Sequence, residues 1–583
     1  MKQPNEVILG NSSRGAADVG SEAGKNYSSS IGIWIGLAVY YALAISHFSY
    51  IPLWDSLENL EEYLFLPRQH FYFYNLLMMH NGHPSLGYFW PFWIGQWLFP
   101  SQMLMIHIIN VMIGSLAIVA FGRIAAIAFQ GMAGKREIAL LTIAFAVQPV
   151  FVAYSVNMSP DYGILAYFLA TLWLLYSGRT GWAAITGVML LFSKEIGVPT
   201  YMLLVVFYLG GAIRKYRWRE VWPLAIPLLT FGVYCFYQRY KERPIFPWAA
   251  RWLNHETIWQ TYLPNLLKPD FKMACLGPFV LEFQWIFTAV ILAGLAAGIF
   301  ARLPARAGLA EIKNWFRGIN LPLRSFIFLM LGCLYVDSRT VVFTNQRYFF
   351  ALYPLVLLAS FAAILQLKVK EKFRTVLLTG SILLLLACNF RTFDPVSRKI
   401  AGTFGFGSHH LLSIATIRPD VGDCNRDEMV YNLEHTHFSG LLDLAFAKIQ
   451  PTDQTTIVMA NNAWWVMSRL DSRTWHRTES TRSPYIKPIH LIPEDIARME
   501  NKPETVYIVA PPNLDNKTIF LQLNPYYELK ERDIFTEDGY ELQVWKMIKR
   551  HAMTNREILS LPPFTSLPLA SSSRVCERCL VSP

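Results

Sequence analysis

The chain has 583 residues; 53% are hydrophobic, 15% aromatic and only 16% charged, against about 25% charged in an ordinary soluble domain. The formal net charge is +11, yet Lys and Arg fall in short loops between apolar segments and no basic fold signature occurs, which excludes nucleic-acid binding. The composition points instead to a chain that crosses a bilayer many times, with aromatic side chains enough for two interfacial belts.

Residues 1–30 are polar and rich in Gly, Ser and Asn, and read as a disordered cytoplasmic N-terminus. Residues 31–49 form an almost unbroken apolar run, near the ~20 residues a bilayer requires. No small-residue exit site follows, so the run reads as a retained membrane helix and not a cleaved signal. Directly after it come four acids, Asp55, Glu58, Glu61 and Glu62. The loop 50–100 also holds Phe71-Tyr72-Phe73-Tyr74, His83-Pro84-Ser85-Leu86 and Tyr88-Phe89-Trp90. Such aromatic stretches are suited to lying in the interface plane.

Further apolar segments occupy 103–129, 138–153, 162–176, 182–192, 201–212, 221–237, 279–300, 326–335, 348–366 and 376–390. Basic residues at 135–136, 179, 214–219, 302–317 and 368–374 fall in alternate loops, which makes those loops cytoplasmic. The stretch 182–210 contains Lys194-Glu195. Read as one helix, it would turn every later basic loop outward; read as two, it restores the charge rule and puts Lys194-Glu195 near the outer surface. The loop 50–100 and everything after residue 390 then face outward.

The expected fold is an α-helical polytopic membrane protein of about eleven transmembrane helices spanning 31–393, with an extracytoplasmic α/β domain over 394–549 and a flexible tail over 550–583. In the outer domain, 455–460 and 505–510 read as buried strands. Residues 493–500 read as a helix start with Pro near its first position. Residues 526–535 and 540–547 read as a hairpin around Asp538-Gly539. Cys235, Cys333 and Cys388 sit in apolar segments as small core residues. Cys576 and Cys579 form a lone CxxC in the tail, without a second pair or His partners. His409-His410 and the Glu434-His435-Thr436-His437 stretch lack a fourth ligand, and no metal site is assigned.

Several polar residues on the outer side have the chemistry of a site, and each has a plainer role beside it. Asp55 follows the first helix and serves equally as a helix cap, with Glu58 in the first turn. Asp161, in Ser159-Pro160-Asp161, supplies a second acid where a helix opens; taken alone it reads as a cap. Lys194 and Glu195 interrupt an apolar run, where ionisable groups are costly and usually functional; the plainer role is an ion pair. Arg347-Tyr348 opens a late apolar segment, as a site residue or an interfacial anchor. His83 alone reads as structural. Together, two outward acids and two outward bases suit group transfer: acids accept a hydroxyl proton, and bases hold a phosphate leaving group.

The order of these features resembles the GT-C glycosyltransferases, in the dolichyl- or polyprenyl-phosphate-dependent branch that includes protein O-mannosyltransferases and the aminoarabinose transferase of lipid A. The resemblance runs over 31–366 and rests on Asp55 after helix one, His83-Pro84-Ser85-Leu86, Pro160-Asp161, Ser193-Lys194-Glu195, and Arg347-Tyr348 with Pro354 following. Many relatives carry Asp-Glu where Asp55-Ser56 stands and His-Pro-Pro where His83-Pro84-Ser85 stands. The resemblance implies transfer of a sugar from a polyprenyl- or dolichyl-phosphate donor to a lipid, glycan or protein acceptor on the non-cytoplasmic face, usually with inversion. It implies Asp55 and Asp161 as catalytic acids, Lys194 and Arg347 on the donor phosphate, and His83, Glu58 and Tyr348 lining the donor and acceptor pocket. It implies no certain cofactor, although some relatives hold a divalent metal between two acids. The location implied is the bacterial inner membrane, or the endoplasmic reticulum in a eukaryote. A multi-pass transporter or lipid flippase, with Lys194 and Asp161 in a substrate path, is the alternative.

Overall fold

A computed structural model describes residues 30–46, 48, 84, 86–99, 103–212, 221–241, 277–300, 318–340 and 346–389, and, in the C-terminal part, 405–406, 409–410, 444–445, 456–460, 486–488, 502, 504–510, 523–537 and 540–550. The helices in chain order are α1 (Ser30–Ile45), α2 (Leu86–Leu98), α3 (Met103–Ala128), α4 (Lys135–Ala146), α5 (Pro149–Ala153), α6 (Pro160–Tyr176), α7 (Thr180–Leu191), α8 (Gly197–Ala212), α9 (Ile226–Tyr240), α10 (Gly277–Val280), α11 (Gln284–Phe300), α12 (Leu321–Thr340), α13 (Leu352–Gln366) and α14 (Glu371–Cys388). Short 3-10 turns at Trp222–Ala225 and Gln346–Phe349 lead into α9 and α13.

Each apolar run of the sequence carries helix, because a backbone shielded from water must satisfy its own N–H and C=O groups. Two of the helices, over Leu104–Ala128 and Leu321–Ser338, are long and apolar enough to cross a membrane. Helix α6 is buried along almost its whole length and packs on α3 and α7. Helix α13 is buried from Leu352 to Ile364 and packs on α11 and α12. Around these two, the outer helices turn large apolar side chains outward. Phe236 on α9 is 74% exposed and Trp34 on α1 68%, joined by Leu229, Val233, Phe300 and Val376. Apolar residues on both the inner and the outer faces are the pattern of helices solvated by hydrocarbon.

The stretch around Lys194 resolves as two helices. Helix α7 ends at Leu191 and α8 begins at Gly197, with Lys194-Glu195 in the turn between them. The stretch 86–98 differs from the interfacial loop expected of it. It forms α2, which packs against α3, α6 and α7. Tyr88, Phe89 and Phe92 are buried there, while Trp90 and Trp97 remain outward. Gly87 explains the close approach: its N–H donates to the Phe192 carbonyl at 2.7 Å, and a Cβ at that position would collide with the Met189 carbonyl.

The basic end of the bundle is closed by a buried ion pair. Glu137, in the first turn of α4, is fully enclosed and takes both the Arg374 guanidinium of α14 and the Gly134 backbone N–H.

In the C-terminal part, β1 (Gly405–Phe406) pairs with β2 (His409–His410). A five-stranded sheet has the order β4 (Ile486–Pro488), β3 (Thr456–Ala460), β5 (Thr505–Ala510), β7 (Tyr540–Lys549), β6 (Tyr527–Glu537). Strand β3 runs parallel to β4 and β5, and β7 runs antiparallel to β5 and β6. Val506 and Ile508 are buried on one face of β5, as the two-residue period of a strand requires. The expected helix at 493–500, the Asp538-Gly539 turn, the 434–437 stretch and Cys576/Cys579 lie outside the described residues. Cys333 and Cys388 are buried, and Cys235 is partly buried.

Candidate functional site

The end of the bundle opposite the Glu137–Arg374 pair collects charged side chains from three separate segments. Asp161 is the second residue of α6. Pro160 occupies the first helical position, where a missing N–H costs nothing, and the helix's partial positive charge favours a carboxylate there. Ser159 is the cap residue, and its hydroxyl lies 3.2 Å from Asp161 Oδ2. From the α7–α8 turn, Lys194 Nζ donates to both Asp161 oxygens at 3.1 Å. From the 3-10 turn before α13, Arg347 Nε approaches Asp161 Oδ2 at 3.7 Å.

Tyr348 ties the two cations together. Its hydroxyl accepts from Arg347 Nη2 at 3.1 Å, and its ring lies 4.3 Å from Lys194 Nζ and 5.0 Å from the Arg347 guanidinium carbon. An aromatic face attracts cations in this way. Lys194 is the most open of the three charged groups, its side chain 14% exposed against 4% for Asp161 and 5% for Arg347. It lies in the turn, outside both flanking helices. Burial works against its ammonium form, but the Asp161 carboxylate, with Tyr348 and Glu195, outweighs burial and the Arg347 charge and holds the group above its ordinary value. Lys194 is therefore charged at neutral pH.

A second set of bonds fixes the turn that leads into Asp161. Asn110, inside the long apolar helix α3, is buried. Its Nδ2 donates to the carbonyls of Tyr154, Ser155 and Asn157 at 2.7, 2.9 and 2.9 Å. Its Oδ1 accepts from the Tyr88 hydroxyl at 2.8 Å, and that hydroxyl accepts from the Ser159 N–H at 3.0 Å. Alongside, the Tyr40 and Tyr162 hydroxyls lie 2.7 Å apart, over Gly114, where a Cβ would collide with both. Helices α1, α2, α3 and α6 are thereby locked behind the carboxylate.

Asp161, Lys194, Arg347 and Tyr348 thus share one cluster. Asp55, Glu58 and His83 lie outside the described residues. Asn110 and the buried acid Asp337 of α12 were not singled out in the sequence, and Tyr88 was read there only as an interfacial aromatic. Asn110 and Asp337 do carry a signal, a polar side chain interrupting an apolar run. Among the described residues no group of three His, Cys, Asp or Glu side chains is placed to hold a metal ion.

An anion-holding pair of cations fixed around a carboxylate, at one end of a helical bundle, can bind a phosphate ester and orient a hydroxyl beside it. No protein-family model matches the chain, and no curated protein matches it by sequence. Among solved structures it is similar to ArnT from Cupriavidus metallidurans bound to undecaprenyl phosphate, with 14% identity over 88% of this chain and 97% of that one and a TM-score of 0.49. It is also similar to the same protein in the apo state, with 13% identity, the same coverage and a TM-score of 0.47. A third similar structure is the archaeal oligosaccharyltransferase AglB from Archaeoglobus fulgidus, in complex with an inhibitory peptide and a dolichol-phosphate. There the identity is 12% over 89% of this chain and 74% of that one, with a TM-score of 0.41. Both proteins are of the GT-C superfamily, and neither donor nor acceptor for this chain follows from likenesses at that level.

Proposed function

We propose that this chain is a membrane glycosyltransferase that moves a sugar from a polyprenyl-phosphate donor to a hydroxyl-bearing acceptor at the non-cytoplasmic face. The observation that carries the reading is the convergence of Lys194 and Arg347 on Asp161 from segments far apart in the chain. The ordered motifs of the sequence and the outward apolar side chains of the helices support it. In this reading Asp55 takes the proton of the acceptor hydroxyl, whose oxygen attacks the anomeric carbon. The bond from that carbon to the phosphate oxygen breaks, and its electron pair leaves with the lipid phosphate. Lys194 and Arg347 hold the charge that develops there, Asp161 and Tyr348 hold the two cations in place, and Glu58 and His83 line the pocket. Inversion follows from a single displacement. The sugar is a hexose or pentose, and the acceptor is a lipid, a glycan or a protein.

The test is consumption of a labelled polyprenyl-phosphate sugar by the purified full chain in detergent, with release of the lipid phosphate. A transferase works without a sealed compartment, whereas a transporter needs one. Wild-type turnover with loss of ~10²–10⁴ in rate in Asp55→Asn, the range typical of a removed base, supports the reading. Turnover confined to sealed vesicles, as movement without bond cleavage, overturns it.

A further inference from the structure

We propose that Asp337 is a sugar-binding residue of the same site, accepting a hydrogen bond from a hydroxyl of the donor sugar. The proposal rests on the donor reading above. Asp337 stands near the end of α12 and is only 4% exposed. Its Oδ2 is buried with no hydrogen-bond partner among the described residues. A buried acceptor left unpaired is costly, and in a site of this kind it marks a place for a ligand's donor. Three observations put that place beside the cluster. Helix α12 packs against the 3-10 turn that carries Arg347. It also packs against α8, the helix that follows Lys194, at a point where a Cβ on Gly332 would collide with the Leu203 side chain. And the Asp337 carboxyl lies within electrostatic reach of Asp161.

The chemistry selects the ligand group. An Asp side chain brings no positive charge to a phosphate, so Asp337 does not take the leaving group that Arg347 and Lys194 are suited to hold. A sugar esterified to that phosphate presents hydroxyls a few ångströms away, and a hydroxyl is a donor that an unpaired carboxyl oxygen accepts. Cys333, one turn back on α12, is a buried thiol within electrostatic reach of Asp337 and offers only a weak donor.

The experiment measures binding of two probes to the full chain in detergent by native mass spectrometry: undecaprenyl phosphate and its hexosyl ester. The variants are Asp337→Leu, which removes both acceptors, and Asp337→Asn, which keeps the shape. Asp337→Leu is expected to weaken the ester by about 3–10-fold, the value of one hydrogen bond, and to leave the bare phosphate within about two-fold. Asp337→Asn is expected to show the same selective loss at smaller size, and carries the test if the leucine variant does not fold. Equal binding of the ester by wild type and both variants overturns the sugar contact. A parallel loss of both probes also overturns it, since that is a packing defect. Failure of the wild type to bind either probe overturns the donor reading itself, and the sugar contact with it.

Discussion

Asn110→Leu removes the side chain that fixes the turn before Asp161 while keeping its approximate volume. Four short contacts are lost: one from the Tyr88 hydroxyl and three to carbonyls of residues 154, 155 and 157. An amide nitrogen has only two hydrogens, so those three carbonyls share two donors and the count of full bonds is about three. At roughly 1 kcal/mol net per bond the loss is about 3 kcal/mol. Carbonyls that fail to find water raise it, and losses beyond about 4–5 kcal/mol are exceptional for one substitution. The Tyr88 hydroxyl keeps the Ser159 N–H as a donor, so Tyr88→Phe, which loses that bond and the one to Asn110, is expected to cost about 1–2 kcal/mol. Unfolding in detergent micelles, followed by tryptophan fluorescence, reads both values, and donor turnover reads the displacement of Asp161. Destabilisation by Asn110→Leu of under about 1 kcal/mol, with turnover unchanged, would refute the claim that this network holds the site.

At the other end of the bundle, Arg374→Met strands the buried Glu137 carboxylate and is expected to cost about 3–5 kcal/mol. Glu137→Gln, which keeps a partner for the Gly134 N–H, should cost less; the reverse order, read from the same unfolding curves, contradicts the assignment. Cysteines introduced at Ser177 and Lys368, both exposed at turns of the basic end, should be labelled from one side of intact membranes by an impermeant thiol reagent, and Glu504→Cys from the other. Labelling of Ser177→Cys and Lys368→Cys from opposite sides would refute the topology.

The sequence made the helices readable because a hydrocarbon environment demands long apolar runs, and each such run carries helix. The break at Lys194-Glu195 was readable because one unbroken helix would have turned every later basic loop outward. Pro160-Asp161 was readable as a helix opening, and β6 and β7 as a hairpin from the turn residues between them. Helix α2 was not. Its Pro91 lies inside the helix, and its aromatic residues have no period that separates a packed helix from an interfacial one. The convergence on Asp161 joins residues 33 positions apart for Lys194, and Asn110 acts on carbonyls 44 to 47 positions away. Such partners are set by how α3, α6, α7 and α8 pack, which local spacing does not encode. The resemblance carried Lys194 and Arg347 to the same site as Asp161, but it said nothing of Asp337.

The central claim is that Lys194 and Arg347, held by Asp161, are the phosphate-binding cations. Affinity for undecaprenyl phosphate in wild type, Lys194→Met and Asp161→Asn measures it most directly. Lys194→Met should weaken binding by about 10–100-fold, since it removes a charge-assisted bond. Asp161→Asn should leave binding intact or tighten it, because it releases both cations from a competing carboxylate, while sugar transfer is lost. Unchanged affinity in Lys194→Met, or binding abolished by Asp161→Asn in a folded protein, would contradict the account.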